Sequence, residues 1–359
     1  MGFVRRVGAT LVADGRPYRF RGLNYYDINT YAGENPYRPG TRMVHGCRFH
    51  SQFPIVADSL ARMGPNVNAL RGWFFQPFAT AVPLDGGPAQ RDWSYFDHTL
   101  AAVRQAGMRI VVTIGDQYGC GVDLQRNLTI GWYRSGYRTT VAPDEIQTYR
   151  DYLRDIVTRY RDHPEVLAWQ LVSEATVVGD DETTCDEPAA AKALRSFADD
   201  TSALVHRLDP NHLVSLGTGR SGCGYIGRDY AAVFASPGVD LCEYHDYYDP
   251  ALPVPPILRS GLDTCGRVLH KPLFIGETGM TALDAKKQCP ARFRVCRAGL
   301  LRAKFAAQAT AASRGLAEDV AGQLVWDWCE PAWTKCAPKE FDIMPGDPTL
   351  GALAALPVS

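Results

Sequence analysis

Eight strand-like segments, most of them followed by a helical pattern, restrict the fold of this chain more than any other sequence feature. The clearest strand candidate, Val166–Val172, is an apolar run too short for a typical helix and without strict polar alternation, which is typical of a strand buried on both faces of a parallel sheet. The other seven candidates are Tyr18–Leu23, Val67–Arg71, Arg109–Ile114, His212–Leu216, Val239–Tyr244, Leu273–Ile275 and Gln323–Trp326. Because no linker divides these segments, we predict an α/β fold, a (β/α)8 TIM barrel, with residues 1–359 in a single domain that has long loops at the carboxyl-end face.

Helical patterns fill the intervals between these strands. The predicted helices are Phe53–Met63, Trp93–Ala106, Pro143–Tyr160, Ala189–Leu208, Pro256–Leu269 and Ala291–Arg314. Since crossovers between parallel strands are right-handed, each strand runs parallel to the last one, and all eight carboxyl ends face one mouth of the barrel. Barrel enzymes keep their chemistry at that mouth.

The charge of the chain excludes two kinds of partner. A net charge of −1 and a pI of about 6.7 lack the basic excess that is typical of proteins binding nucleic acid or anionic membranes. No apolar stretch approaches the roughly 18 residues that a membrane span needs, and no signal peptide opens the sequence. We expect neither nucleic acid nor a membrane as a partner, and a monomeric protein.

The ten cysteines bear on the compartment. Their number is even, none forms a Cys-x-x-Cys pair, and most fall in predicted loops, which favours disulfides formed in an oxidising compartment. Cys289 with Cys296 and Cys329 with Cys336 are each close enough in sequence to join one loop; the other pairings stay open. The alternative is a cytosolic protein with scattered buried thiols. We expect a secreted or extracytoplasmic protein whose signal peptide is not part of this sequence.

Polar and aromatic side chains follow the predicted strands at the point where each strand ends. These residues are Asn24, Tyr25, Arg71, Trp73, Asp116, Gln117, Ser173, Glu174, Gly217 to Arg220, His245, Tyr247, Glu277 and Trp326. They include two glutamates, Glu174 after the fourth strand and Glu277 after the seventh, and in a closed barrel these two strands lie across the mouth from one another.

Two opposed carboxyl groups suit the cleavage of a glycosidic bond. One must protonate the leaving oxygen while the other acts at the anomeric carbon, so their environments must differ. Arg71 is a candidate for keeping the nucleophile ionised, because it places a fixed positive charge nearby, and Tyr247 is a candidate hydrogen-bond donor to the same carboxylate. A separation of roughly 5–5.5 Å predicts retention of configuration and roughly 6.5–9.5 Å predicts inversion. The sequence does not distinguish the two.

Seven segments in order carry a resemblance to a known family. They are Arg21–Tyr25, Asn68–Trp73, Leu167–Glu174, Leu208–Val214, His245–Tyr247, Lys271–Gly279 and Val325–Trp326. Together they resemble glycoside hydrolase family 5, in the clan of retaining glycosidases on (β/α)8 barrels, and its β-mannanase branch most; the fourth-strand segment, for example, resembles the motif Trp-Glu-Leu-x-Asn-Glu. This resemblance implies that Glu174 is the catalytic acid/base, that Glu277 is the nucleophile, and that no cofactor is needed.

Two positions depart from the family pattern. Ser173 stands where the family has an asparagine that hydrogen-bonds the sugar 2-hydroxyl, and Ala175 replaces the proline after the acid/base. Because serine is shorter, either a water fills the gap or the substrate differs at C2 or in ring form. β-Mannan is our first hypothesis, and a different linkage, such as a furanoside glycan, is the first alternative. The second alternative is a non-catalytic carbohydrate-binding barrel, against which the presence of Glu174, Glu277 and Arg71 argues.

The predicted site therefore consists of two catalytic glutamates and a set of substrate-binding residues. The predicted substrate-binding residues are Asn24, Tyr25, Arg71, Trp73, Ser173, His245, Tyr247 and Trp326. His245 and the tryptophans also have a purely structural interpretation, as satisfied or packed side chains. No cofactor and no metal are predicted, because the G-x-G-x-x-G match at Gly217–Gly222 is followed by a loop rather than a helix and no His/Asp/Glu cluster has metal-ligand spacing.

Overall fold

A computed structural model describes residues 1–44, 55–117, 128–217, 223, 229–247, 249–337 and 340–357. Its largest sheet has eight parallel strands, which we number β1 to β8 along the chain: Phe20–Asn24, Ala69–Trp73, Arg109–Thr113, Val166–Gln170, Leu213–Ser215, Cys242–Asp246, Leu273–Thr278 and Gly322–Val325. Their order in the sheet is β5-β4-β3-β2-β1-β8-β7-β6, and a parallel bridge between Ser215 and Leu241 joins the two edge strands. The predicted (β/α)8 barrel is confirmed.

Helices surround this barrel. The described α-helices are Val56–Met63, Ser94–Gln105, Tyr137–Thr139, Tyr149–Tyr160, Glu187–Leu208, Tyr230–Phe234, Pro256–Asp263, Ala282–Gln288, Phe293–Ala309 and Thr349–Ala352. Short 3-10 turns occupy Gln76–Ala79, Ala312–Arg314 and Leu353–Ala355, and π-helical turns occupy Trp132–Gly136 and Thr264–Leu269. Among the described helices, none combines the length and the apolar character that crossing a membrane requires.

Several predicted helix boundaries were wrong, and at one of them a side-chain cap decides the true start. The helix predicted from Pro143 begins at Tyr149, where the Thr148 hydroxyl accepts a hydrogen bond from the Asp151 backbone N–H. The long helix predicted to end at Arg314 ends at Ala309 and gives way to a separate 3-10 turn. The helix predicted from Phe53 begins at Val56, and Phe53 itself lies outside the described residues.

Strand boundaries also differ from the prediction in a way that bears on function. β7 continues to Thr278 instead of ending at Ile275, so Glu277 lies on the strand itself. β4 ends at Gln170, but a parallel bridge between Asp116 and Ser173 extends the pairing toward the mouth. Glu174 is therefore the first residue after the last paired residue of this segment, Ser173.

Two small antiparallel sheets were missed because their strands are short and partly polar. One comprises Val4–Val7, Thr10–Ala13 and Arg16–Pro17, and the other comprises Thr41–Met43, Thr80–Pro83 and Gln90–Arg91. Val4 and Leu11 of the first sheet are buried against Phe20, Leu213 and Phe274 near the amino ends of the barrel strands. This sheet therefore covers the end of the barrel opposite the mouth.

Disulfides join loops, helices and one barrel strand. Cys289–Cys296 and Cys329–Cys336 are bonded as predicted. Two further bonds, Cys185–Cys223 and Cys242–Cys265, were left open by the sequence. Cys47 and Cys120 lie outside the described residues, as does the predicted glycine motif beyond Gly217.

Candidate active site

The two predicted catalytic glutamates come together at the mouth of the barrel. A carboxylate oxygen of Glu174 lies within 4.8 Å of a carboxylate oxygen of Glu277. Their surroundings differ, because the Glu174 side chain is 35% exposed and the Glu277 side chain is 7% exposed. Glu174 has a positive φ of 52°, a backbone conformation uncommon outside glycine, at the point where the chain leaves the sheet. The geometry therefore pairs one accessible carboxyl group with one buried carboxyl group.

Both oxygens of Glu277 receive hydrogen bonds. Arg71 Nη1 donates to Oε1 at 2.8 Å, and the Tyr247 hydroxyl donates to Oε2 at 2.8 Å. Burial raises the pKa of Glu277, while the nearby cations His245 and Arg71 and the hydrogen bond from Tyr247 oppose that rise. Burial and the charge of Glu277 raise the pKa of Tyr247 well above its ordinary value, so its phenol remains a donor at neutral pH.

Arg71 organises the floor of the site. It has no exposed surface, and its guanidinium donates to four side-chain oxygens, those of Asn24, Gln170, Ser173 and Glu277, at 2.7 to 2.8 Å. Four partners fix a planar guanidinium in one orientation. Asn24 is equally buried and donates in turn to the Gly276 carbonyl. Neither Asn24 nor Arg71 has exposed surface for contact with a ligand, so the direct substrate contact predicted for them is corrected to support of Glu277 from below.

His245 lies between the carboxyl groups. Its Nδ1 is 2.7 Å from Glu174 Oε1 and 3.5 Å from Glu277 Oε2, and its Nε2 is 3.3 Å from Glu243 Oε1. Burial lowers the pKa of His245, but the three carboxylates outweigh it and raise the pKa to about 10. Both ring nitrogens therefore carry protons at neutral pH. Glu174, His245 and Glu277 each place one donor atom within 4.8 Å of the others.

Aromatic side chains form one wall of the mouth. Tyr26 stacks on Trp326, with ring centroids 4.9 Å apart and planes at 11°, and lies 4.7 Å from Trp73. Trp326 is half-buried, whereas Trp73 is 9% exposed and stacks on Phe75. The prediction of Tyr25 as a mouth residue is contradicted: its side chain is fully buried in the core, because successive strand residues alternate between faces.

Two polar residues beneath the mouth were missed. Gln170 and Glu243 are fully buried, and Gln170 Nε2 donates to Glu243 Oε1 at 2.7 Å. Both lie inside strands, where the pattern of polar residues at strand ends makes no prediction. The available signal was spacing: Glu243 precedes His245 by two residues, which puts both side chains on one face of β6. Ser173, by contrast, lies where it was expected and is 4% exposed.

A separate cavity of about 520 Å³ adjoins the mouth without including either glutamate. The loops that follow β2 and β3 form it, and its lining includes Phe75, Asp116, Trp132 and Tyr149. Trp132 also packs against Phe197, with ring centroids 5.5 Å apart, so this tryptophan serves the packing of the loop as well as the cavity wall.

Comparison with known proteins points to polysaccharide-degrading enzymes. The chain is 25% identical over 326 residues to mannan endo-1,4-beta-mannosidase 1 of Oryza sativa subsp. japonica. The alignment covers 79% of this chain and 70% of the rice protein. It is 30% identical over 277 residues to probable mannan endo-1,4-beta-mannosidase C of Aspergillus terreus. That alignment covers 69% of this chain and 65% of the fungal protein. No protein-family model matches the chain.

Solved structures show the same fold. The endo-1,4-beta-mannanase from Rhizomucor miehei superposes with a TM-score of 0.65 at 16% identity, over 99% of this chain and 98% of that one. The endo-beta-1,4-mannanase from Thermotoga petrophila gives a TM-score of 0.59 at 18% identity, over 95% and 76% of the two chains. At sequence identities of 16% and 18%, these two comparisons show that the barrel fold is shared.

Proposed function

Because the chain is a glycosidase of glycoside hydrolase family 5 and resembles the mannanase branch of that family most, we propose that it hydrolyses β-1,4-linked mannan within the polymer chain. The observation that carries this proposal is the pair of unlike carboxyl groups whose oxygens lie within 4.8 Å. Retaining glycosidases separate their carboxyl groups by roughly 5–5.5 Å, which leaves no room for a water between carboxylate and sugar. The short separation supports retention over inversion.

In the proposed mechanism, Glu277 is the nucleophile and Glu174 is the acid/base. Glu277 attacks the anomeric carbon while the carboxylic acid of Glu174 transfers its proton to the leaving glycosidic oxygen. The resulting glycosyl ester is then hydrolysed by a water whose proton returns to Glu174, and Glu277 leaves as a carboxylate. Burial makes Glu277 the group that a sugar can approach without competing solvent, and the partial exposure of Glu174 suits exchange of a proton with water.

The neighbours of the two glutamates support this division of roles. Arg71 and Tyr247 each direct a hydrogen bond at 2.8 Å to one oxygen of Glu277, and both bonds are stronger to a carboxylate than to a carboxylic acid. Glu174 instead bonds to His245, which has a second carboxylate on its other side. Glu277 thus has two donors of its own, Arg71 and Tyr247, that favour its ionised form, while the His245 cation lies beside both glutamates.

The substrate contacts and the setting are also part of the proposal. The stacked pair of Tyr26 and Trp326 provides an aromatic face of the kind on which sugar rings pack. The four disulfides among the described residues favour action outside the cytoplasm. With a net charge of −1, the protein is proposed to act as a secreted monomer on carbohydrate, without nucleic acid or membrane as a partner.

A panel of polysaccharides tests the function. Wild-type protein should release reducing ends from β-mannan, and Glu277→Ala should release none. Equal cleavage by both proteins would refute the nucleophile assignment. Product NMR at early times should show the retained β-anomer, and an inverted product would contradict double displacement. Binding of mannan without hydrolysis by the wild type would favour a carbohydrate-binding barrel.

Ser173 favours a second candidate, a glycosidase for a different sugar such as a furanoside. Its hydroxyl accepts a hydrogen bond from Arg71 Nη2 at 2.8 Å, so this oxygen already has a partner within the protein. A serine cannot extend to the 2-hydroxyl position as the family asparagine does. Turnover of an arabinofuranoside or galactofuranoside polymer in the same panel, with no turnover of mannan, would select this candidate.

A further inference from the structure

The proposed mechanism gives no role to Glu243, a buried carboxylate directly beneath the two glutamates. Glu243 lies on β6, two residues before His245, and its side chain has no exposed surface. A carboxylate is costly to bury unless hydrogen bonds and an opposite charge surround it. Its place inside the barrel, directly beneath the two glutamates at the mouth, therefore needs a physical reason.

Both oxygens of Glu243 are engaged. Oε1 accepts a hydrogen bond from Gln170 Nε2 at 2.7 Å and lies 3.3 Å from His245 Nε2. Oε2 accepts a hydrogen bond from the Ser215 hydroxyl at 2.5 Å. These partners come from β4, β5 and β6, so three neighbouring strands hold the carboxylate in one position.

The adjacent strand leaves space for this arrangement. Gly276 on β7 directly precedes Glu277, and a Cβ at this glycine would lie 2.0 Å from Glu243 Oε1 and 2.9 Å from His245 Nε2. Any other residue would displace the pair. The absence of a side chain at position 276 is thus what admits Glu243 and His245 side by side.

Hydrogen bonds and close ionic contacts connect the site underneath the mouth. The connected side chains are, in order, Glu277, Arg71, Gln170, Glu243, His245 and Glu174. We call this series the carboxylate network. It contains two cations, Arg71 and His245, and it is neutral overall when Glu277 and Glu243 are ionised and Glu174 holds a proton. Glu243 thus places a second carboxylate beside His245, in addition to Glu277, on the side of the ring away from Glu174.

We propose that Glu243 is a positioning residue for this glycosidase: it keeps His245 protonated, with Nδ1–H directed at Glu174, and it orients the amide of Gln170 so that the oxygen faces Arg71. The catalytic consequence rests on the proposed function, whereas the effect on His245 does not. The charged groups that face His245 are Glu174 from the loop after β4, Glu277 from β7 and Glu243 from its own strand. Arg71 and Tyr247 face Glu277 beside it.

Glu243→Gln tests the proposal, with Glu165→Gln as a matched control. Glu165 is also a buried glutamate bonded to a histidine two residues away, at 2.8 Å from His163, but it lies just before β4 at the opposite end of the barrel. The first measurement is a pH titration of the imidazole ¹⁵N signals of the free protein, with His245 assigned through His245→Gln. The pKa of His245 is about 10 in the wild type, and loss of one adjacent charge should lower it by roughly 1–3 units.

The second measurement is the pH dependence of kcat/KM on the substrate that the panel identifies. In Glu243→Gln the alkaline limb should move to lower pH together with the pKa of His245, while Glu165→Gln should leave both unchanged. A folded Glu243→Gln protein with an unaltered His245 titration overturns the proposal. If Glu243→Gln does not fold, Glu243→Asp takes its place: the charge moves away by one methylene, a smaller downward shift is expected, and no shift overturns the proposal.

The two measurements separate this inference from the proposed function. If the wild type cleaves no member of the panel but the His245 pKa falls in Glu243→Gln, the glycosidase assignment fails and the role of Glu243 in protonating His245 stands. If mannan is cleaved and both variants have wild-type titrations and pH profiles, the function stands and the role of Glu243 is refuted.

Discussion

Replacing Glu318 with glutamine is expected to stabilise the folded protein at neutral pH. Glu318 lies in the segment before β8 and is 8% exposed, and its burial outweighs a backbone contact with Leu273 that favours the ionised carboxylate. Burial raises the pKa of Glu318 from 4.5 to about 9. The folded protein therefore keeps this proton at neutral pH, whereas the unfolded chain releases it.

The sign and the size of the effect follow from this difference. Because the folded-state pKa lies above the unfolded one, the stability associated with this group is fully present below pH 4.5 and is lost as the pH rises toward about 9. Between the unfolded pKa of 4.5 and about pH 7 the interval is about 2.5 units, which at about 1.4 kcal/mol per unit makes a cost of about 3.5 kcal/mol. Glutamine has nearly the same shape and no charge, so Glu318→Gln should remove up to this cost at neutral pH and change little near pH 4.

Urea unfolding, followed by tryptophan fluorescence with the disulfides intact, measures the effect at both pH values. Glu340→Gln is the control, because Glu340 is exposed and a surface substitution of this kind changes the free energy of unfolding by less than about 0.5 kcal/mol. A gain for Glu318→Gln that is the same near pH 4 and near pH 7 would refute the reasoning, since it would owe nothing to ionisation. A loss of stability at both pH values would show that the carboxyl group has a partner that glutamine cannot replace.

Three further substitutions test the site. Tyr247→Phe removes a hydrogen bond that lowers the pKa of Glu277, so the acidic limb of the kcat/KM profile should move to higher pH and kcat/KM should fall roughly tenfold or more; an unmoved limb would contradict this role for the tyrosine. Ser173→Asn should raise kcat/KM on mannan, whereas a loss on every polysaccharide tested would show that the serine serves another sugar. Gly276→Ala puts a methyl group 2.0 Å from Glu243 Oε1 and should cost about 1–3 kcal/mol in urea unfolding together with activity; wild-type stability and turnover would argue against the close fit.

Much of the mouth could be predicted because a parallel barrel places chemistry at one end of every strand. Arg71, Ser173, Glu174, His245 and Glu277 come together as the strand ends predicted, from segments spread over most of the chain. Strand direction alone gives this result, since right-handed crossovers bring all carboxyl ends to one face. The prediction required no knowledge of side-chain contacts.

What was missed depends on contacts that the sequence pattern does not encode. Tyr25 and Tyr26 are adjacent and alike in type, and the turn that follows β1 decides that Tyr26 reaches the mouth and Tyr25 the core. Glu243 and Gln170 lie in strand interiors, where an apolar residue is the ordinary expectation. Their burial is tolerated because each meets partners on other strands, which is information about tertiary structure.

The carboxylate network also has a consequence for how the sequence can change. Effects of substitutions in a hydrogen-bonded group are not additive, so Gln170, Glu243 and Gly276 form a set in which each residue constrains the others. The related fourth-strand motif has a glutamate at the position of Gln170. Gln170→Glu combined with Glu243→Gln would move the carboxylate from β6 to β4 without altering net charge, while either single step adds or removes a buried charge. A library of single substitutions would therefore report both positions as intolerant and miss a route on which the two exchange together.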